Sequence, residues 1–167
     1  MPPRFHLRCS TLFLAEMEEV WAFKTHAEPM QEEFKPFLVG DPKPVEEALC
    51  RLRNGDLPVH YTLQARLFGG PRVHEWPVTV TEFHPPTRFV DTSTNALVLH
   101  WRHEHRLEPT SEGVRYVDQV EFTPRYRPHK WTAAGIRELF LHRHRRAARH
   151  LPALPRATAI ATLREMR

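Results

Sequence analysis

Apolar and polar residues alternate through Phe5, Leu7, Cys9, Thr11 and Phe13, the two-residue period of a half-buried first strand. The rhythm then lengthens. Within Ala15–Lys24, Met17, Val20, Trp21 and Lys24 fall at helical offsets, and Glu16, Glu18 and Glu19 occupy the first turn, where the helix dipole favours acids. A second short helix is predicted over Ala27–Phe37, with Pro29 near its start and Pro36 near its end. From Val45 to Pro124 the pattern turns to strands, although Val45–Arg53 reads either as a strand or as a helical turn. Val59, Tyr61, Leu63, Ala65 and Leu67 share one face of the next strand. Gly69-Gly70-Pro71 then turns the chain into a strand carrying Trp76, Val78 and Val80. Pro85-Pro86 ends that strand, Arg88–Ser93 forms a short one, and a turn follows near Asn95. Leu97–Leu107 and Val114–Phe122 make two long strands joined by a polar loop, closed by Pro124 and Pro128. Beyond Thr132, placed as an N-cap, Ile136, Leu139, Phe140, Ala147, Ala148 and Leu151 recur roughly at helical spacing. Pro152 and Pro155 interrupt this helix, and Ala157–Arg167 is expected to be a short separate helix or a frayed tail.

This order predicts an α+β helix-grip fold: a curved antiparallel sheet of about six to seven strands around a long C-terminal helix, with two short helices after the first strand. A sheet of that size has an apolar face to cover, and the last helix is the element long enough to cover it. One domain is expected over residues 1–151, with 152–167 as a helical or flexible tail. Between sheet and helix such a fold leaves a space in which small ligands lodge.

The two long strands carry the residues of chemical interest. Alternation turns Leu97, Leu99, Trp101, His103, His105 and Leu107 to one face, and His100, Arg102, Glu104 and Arg106 to the other. Their partner turns Val114, Tyr116, Asp118, Val120 and Phe122 inward. A hairpin centred between Thr110 and Ser111 sets His103 opposite Asp118 and His105 opposite Tyr116; a two-residue slip sets His105 opposite Asp118. Either register joins an inward carboxylate to an inward imidazole, as burial of Asp118 requires. Such a group is a core network fixing register, a polar cluster orienting a ligand, or a His103–Asp118 general base, with preference in that order. Tyr61, Trp76, Trp101, His103, His105, Tyr116, Asp118 and Phe140 are the expected ligand-binding residues, and Trp131 a candidate to close the cavity mouth. His103 and His105 also have a metal-ligand spacing, with Asp118 as a third candidate. Twelve histidines make chance pairs such as His142 and His144 expected, and neither a metal nor a cofactor is called for.

Composition narrows the rest. The 167 residues are 41% hydrophobic and 26% charged, ordinary for a globular domain able to bury its own core. No apolar run approaches a membrane span, and Arg4, His6 and Arg8 break the layout of a signal segment. Cys9 and Cys50 are too few for a disulfide framework, so a cytoplasmic location is expected. The net charge of +4 conceals an asymmetry: residues 1–124 hold 13 Lys/Arg against 18 Asp/Glu, and residues 125–167 hold 11 against 2. That basic end is either a polyanion-binding surface or the solvated face of a helix. With no groove-reading motif accompanying the arginines, the second is favoured and nucleic acid is not expected as a partner.

Three segments together resemble the START-like (SRPBCC, helix-grip) superfamily, and within it the polyketide cyclase/dehydrase-like ligand-binding subgroup. They are Arg88-Phe89-Val90-Asp91, Trp101-Arg102-His103-Glu104-His105-Arg106-Leu107 and Asp118-Gln119-Val120-Glu121-Phe122-Thr123-Pro124. Ala96-Leu97-Val98 stands where that subgroup has Gly-Pro-Tyr, Ser93 where it has glutamine, and Leu107 and Phe122 where it has Phe and Tyr. The resemblance implies a cavity for a small hydrophobic or aromatic molecule and carries over no catalytic residue. The functional expectation is therefore binding or transport of such a molecule. The alternatives are a cyclase, aromatase or dehydratase using the His103–Asp118 pair, or an interaction module using the arginine-rich end.

Overall fold

A computed structural model describes residues 1–36, 38–39, 41–67, 70, 72–153 and 159–166. The elements in chain order are β1 (Arg4–Phe13), α1 (Met17–Lys24), α2 (Ala27–Glu32), β2 (Leu38–Val39), α3 (Lys43–Arg53), β3 (Val59–Leu67), β4 (Arg72–His84), β5 (Arg88–Ser93), β6 (Val98–Thr110), β7 (Gly113–Pro124), α4 (His129–Ala147) and β8 (Ile160–Met166). All strands join one antiparallel sheet of order β2-β3-β4-β5-β6-β7-β1-β8. Pairing shifts at Ala65/Arg66, Val80/Glu82 and Val98/His100, and each such bulge bends its strand and adds twist. The result is the expected helix-grip architecture, a curved sheet holding α4. Phe5, Leu7, Cys9, Trp101, Val120 and Phe122 pack with Ala133, Phe140 and Leu141 of α4 in one core; Phe13, Leu107, Val114 and Tyr116 pack with Ala147 in a second.

Several expectations change at the level of elements. Lys43–Arg53 is a helix: Val45, Ala48 and Leu52 are its buried residues, spaced i, i+3, i+7, and Pro44 falls in its first turn, where a missing N–H costs nothing. Ala48 and Leu52 pack on Val59, Val78 and Val80 as a third core. Residues 160–166 form neither a helix nor a frayed tail but an edge strand on β1, because Ala159, Ala161 and Leu163 alternate and cover the core beside Phe5 and Leu7. The expected turn at Gly69-Gly70-Pro71, the Phe37 end of the second helix and residues 154–158 fall wholly or largely outside the described residues.

The β6–β7 hairpin takes the slipped register. Its two-residue turn is Ser111-Glu112, so Thr110 pairs with Gly113, His105 with Asp118 and Trp101 with Phe122. Gly113 makes this possible at φ +149°, and a Cβ there would stand 2.1 Å from the carbonyl oxygen of Phe13. At the other end, the bulge at Val98/His100 reverses the alternation. Val98 is therefore buried, and Leu97 and Leu99, expected inward, are exposed.

Candidate functional site

Midway along β6 and β7 the gap between sheet and α4 is filled by polar side chains. His103 and His105 leave β6 on the same face, Tyr116 and Asp118 leave β7, Asp91 leaves β5, and Arg143 and His144 descend from α4. Asp118, with no exposed surface, is the hub. Its Oδ1 accepts from His103 Nε2 at 2.9 Å and from the Tyr116 hydroxyl; its Oδ2 accepts from His144 Nε2 at 3.0 Å, with Arg143 Nη1 4.0 Å away. Burial alone would raise the Asp118 carboxyl, but the charge of His103 and hydrogen bonds from His103, His105 and His144 hold it well below the usual range.

Each histidine is defined by what its two nitrogens meet. His144 donates through Nε2 to Asp118, so its Nδ1 accepts from the Thr11 hydroxyl at 2.9 Å; burial lowers its pKa and keeps it neutral. His103 sits between two carboxylates, Nε2 on Asp118 and Nδ1 3.4 Å from Asp91 Oδ2. Burial opposes its charge, yet the fields of Asp118 and Asp91 outweigh that and raise its pKa, which favours the imidazolium. His103 is thus poorly placed to act as a general base, since the two carboxylates favour its protonated form. His105 donates through Nε2 to Asp91 Oδ2 at 3.1 Å and meets the Tyr116 hydroxyl with Nδ1 at 2.7 Å. Its ring lies between Phe89, stacked at 3.7 Å, and His103, also at 3.7 Å.

A second buried group balances the charge. Glu33, fully buried just beyond α2, receives Arg143 through Nε at 3.1 Å and Nη2 at 2.9 Å, and pairs with Lys24 at the end of α1. Lys24 also lies 3.9 Å above the Tyr116 ring, joining the two groups. Burial would raise the Glu33 carboxyl, but Lys24 and Arg143 hold it below its ordinary value; burial lowers the Lys24 ammonium despite Glu33. Part of the basic C-terminal segment is thereby paired within the molecule, Arg143 with buried Glu33 and Arg146 with half-exposed Glu32.

Six of the eight expected ligand-binding residues, Trp101, His103, His105, Tyr116, Asp118 and Phe140, converge here. Trp76 packs edge-on against Trp101 at 4.9 Å, and half-buried Tyr61 lies to the side. Among the described residues these groups meet α4 directly, Asp118 through His144, and Trp101 and His103 through Phe140. An adjoining apolar cleft of about 20 Å³, room for one water, lies under α3 between Val45, Ala48, Leu49, Leu52, Val80 and Phe83. Lys24, Tyr61 and Phe89 form its polar-network side. An open groove of about 490 Å³ lies on the outside, against Phe23, Glu28, Pro29 and His150. Trp131 is 79% exposed and closes neither space.

Asp91, Arg143, His144, Glu33 and Lys24 were absent from the expected site. Two of them were within reach of sequence patterning: Asp91 is two residues from inward Phe89 on a strand, and His144 lies at i+4 from Phe140 with Ala147 at i+7. Asp91, not Asp118, completes a donor set with the histidine pair. Asp91, His103 and His105 each offer an atom within 4.8 Å of the other two, whereas Asp118 takes the far nitrogen of His103.

Residues 11–151 match the model of a family described as Domain of unknown function (DUF8410). No curated protein sequence matches the chain. Among solved structures, protein CV1439 from Chromobacterium violaceum superposes with a TM-score of 0.65 at 14% identity, covering 87% of this chain and 96% of that one. The di-domain ARO/CYC StfQ of the steffimycin biosynthetic pathway gives 0.62 at 10%, covering 87% and 49%, and Ara h 8.0201 gives 0.54 at 10%, covering 87% and 99%. At these identities the likeness is one of fold. No helix of the described chain is long and apolar enough to cross a membrane.

Proposed function

This chain belongs to the DUF8410 family, and we propose that it binds a small, mainly apolar molecule with one hydrogen-bonding group, beneath α3. The observation carrying this reading is the cleft itself. Its walls are aliphatic and aromatic, and one side ends on Lys24, Tyr61 and Phe89, which border the buried imidazole and carboxylate groups. Apolar walls with a few convergent polar groups are the general make-up of small-molecule sites. At about 20 Å³ the cleft is contracted, so entry of a ligand requires α3 to move away from β3 and β4. The fold shared with an ARO/CYC di-domain protein is compatible with either a carrier or a catalyst.

Native mass spectrometry of freshly purified protein, followed by titration with 1-anilinonaphthalene-8-sulfonate, tests the proposal. Expected are a retained small molecule or a saturable 1:1 response to the dye, lost in Ala48→Phe while the circular dichroism spectrum is kept. A wild-type protein that retains nothing and binds the dye weakly and without saturation refutes it.

A further inference from the structure

We propose that Asp91, His103 and His105 bind one divalent transition-metal ion, with Zn²⁺ the best match. Three independent features of the geometry support this. First, the donor set is two imidazoles and one carboxylate, the mixture that first-row ions from Fe²⁺ to Zn²⁺ accept and that Mg²⁺ and Ca²⁺ do not favour. Second, two of the three ligand–ligand spacings are already those of a coordination shell, and the third lies within 4.8 Å. With bonds of about 2.0–2.1 Å a tetrahedral ion holds its ligands about 3.3 Å apart. Asp91 Oδ2 stands 3.4 Å from His103 Nδ1 and 3.1 Å from His105 Nε2. Third, the far nitrogen of each ring has an outer partner. His103 Nε2 donates to the Asp118 carboxylate, and His105 Nδ1 lies against the Tyr116 hydroxyl, which itself donates to Asp118. Such partners orient metal-bound imidazoles and raise their basicity, and here they leave His103 Nδ1 and His105 Nε2 as the atoms facing Asp91.

The pairing of strands produces this arrangement. Asp91 is the register partner of His103 across β5 and β6, and His105 is two residues along on the same face, so three donors from two adjacent strands meet at one point. Three protein ligands leave a tetrahedral ion one position for a further ligand.

The test uses the full chain, stripped with a chelator and titrated with Co²⁺ and then Zn²⁺. Expected are one Co²⁺ per chain, the intense visible absorption of a tetrahedral site, and its loss when Zn²⁺ displaces the cobalt. The cobalt protein should show two strongly shifted, exchangeable ring N–H proton resonances, from His103 Nε2–H and His105 Nδ1–H. Asp91→Asn and His105→Gln should weaken binding at least 100-fold, Asp118→Asn about 10- to 100-fold through its outer-partner role, and His84→Gln, at an exposed position, not at all. Substoichiometric binding, a six-coordinate spectrum without shifted ring protons, or undiminished affinity in Asp91→Asn and His105→Gln overturns the proposal. If the ligand variants fail to fold, the stoichiometry and ring-proton signals of the wild-type protein decide the matter alone.

Discussion

Replacing Glu33 with glutamine removes one charge and almost no volume from the most enclosed ion group in the molecule. Glu33 has no exposed surface, and Lys24 and Arg143 are 3% and 5% exposed, so neither cation can recover its hydration in the variant. Arg143 cannot lose its proton and is left leaning on Asp118 at 4.0 Å; Lys24, already lowered by burial, becomes neutral. Breaking a buried pair by deleting one partner costs about 3–5 kcal/mol. For a domain of this size each kcal/mol shifts the melting temperature by about 2–4 °C, so a fall of about 6–20 °C is expected in calorimetry, with a matching loss in urea titration. The pH profile supplies a second reading. The folded-state pKa of Glu33 is depressed below 4.5, so its contribution is fully present above that value and disappears as pH falls through the depressed one. Glu33→Gln should therefore lose stability at neutral pH and flatten the acid limb. Adding Lys24→Met to Glu33→Gln should restore part of the loss, because the stranded amine is gone. A single variant within about 1 kcal/mol of the parent at pH 7 would refute the reasoning, since it would mean the group is solvated or dispensable.

Two further outcomes follow from local geometry. Gly113→Ala places a methyl 2.1 Å from the Phe13 carbonyl oxygen at a φ of +149°, so β1 or the hairpin must shift; a loss of at least about 2 kcal/mol in chemical denaturation is expected, against a gain of about 0.5–1 kcal/mol for Gly135→Ala, at an exposed position within α4 where a Cβ meets nothing. On the opposite face of β6, burial would raise the Glu104 carboxyl, but Arg88 and Arg106 hold it down to about 2. Its contribution is present above pH 4.5 and lost as pH falls towards 2, and Glu104→Gln should cost about 1–2 kcal/mol at pH 7 after screening at the partly exposed arginines, a difference that vanishes near pH 2.

The fold was legible because its determinants are local and periodic. Strands β3, β5, β6 and β7 follow two-residue alternation, and α4 shows its apolar stripe. What escaped depends on a single backbone event or on distant partners. A bulge at Val98/His100 reverses the faces of Leu97 and Leu99, and no residue type announces it. The hairpin register turned on whether Gly113 closes the turn or follows it, a one-residue difference that moves every cross-strand pair by two. The strand at 160–166 alternates only weakly, and its pairing with β1 is set 150 or more residues away. The site was half visible for the same reason: inward positions on β6 and β7 follow from alternation, whereas Lys24 and Glu33 reach it from a helix end and a turn that carry no period.

The charge asymmetry of the chain has a physical role that composition alone left open between a polyanion surface and a solvated helix. Arg143 turns inward to Glu33 and Arg146 meets Glu32 at the half-exposed margin, so α4 is held to the acidic segment after α1 by ion pairs as well as by apolar packing. Those pairs place a cation beside Asp118, and Asp118 in turn fixes His103 and His144. Docking of the last helix and orientation of the imidazoles are therefore one event. A half-satisfied network of this kind costs more than an apolar core, so each member constrains the rest. The imidazole pair facing Asp91 is oriented by Asp118 and Tyr116 of β7, Phe89 of β5 and Phe140 of α4, which is the preorganisation that a ligand or ion site requires.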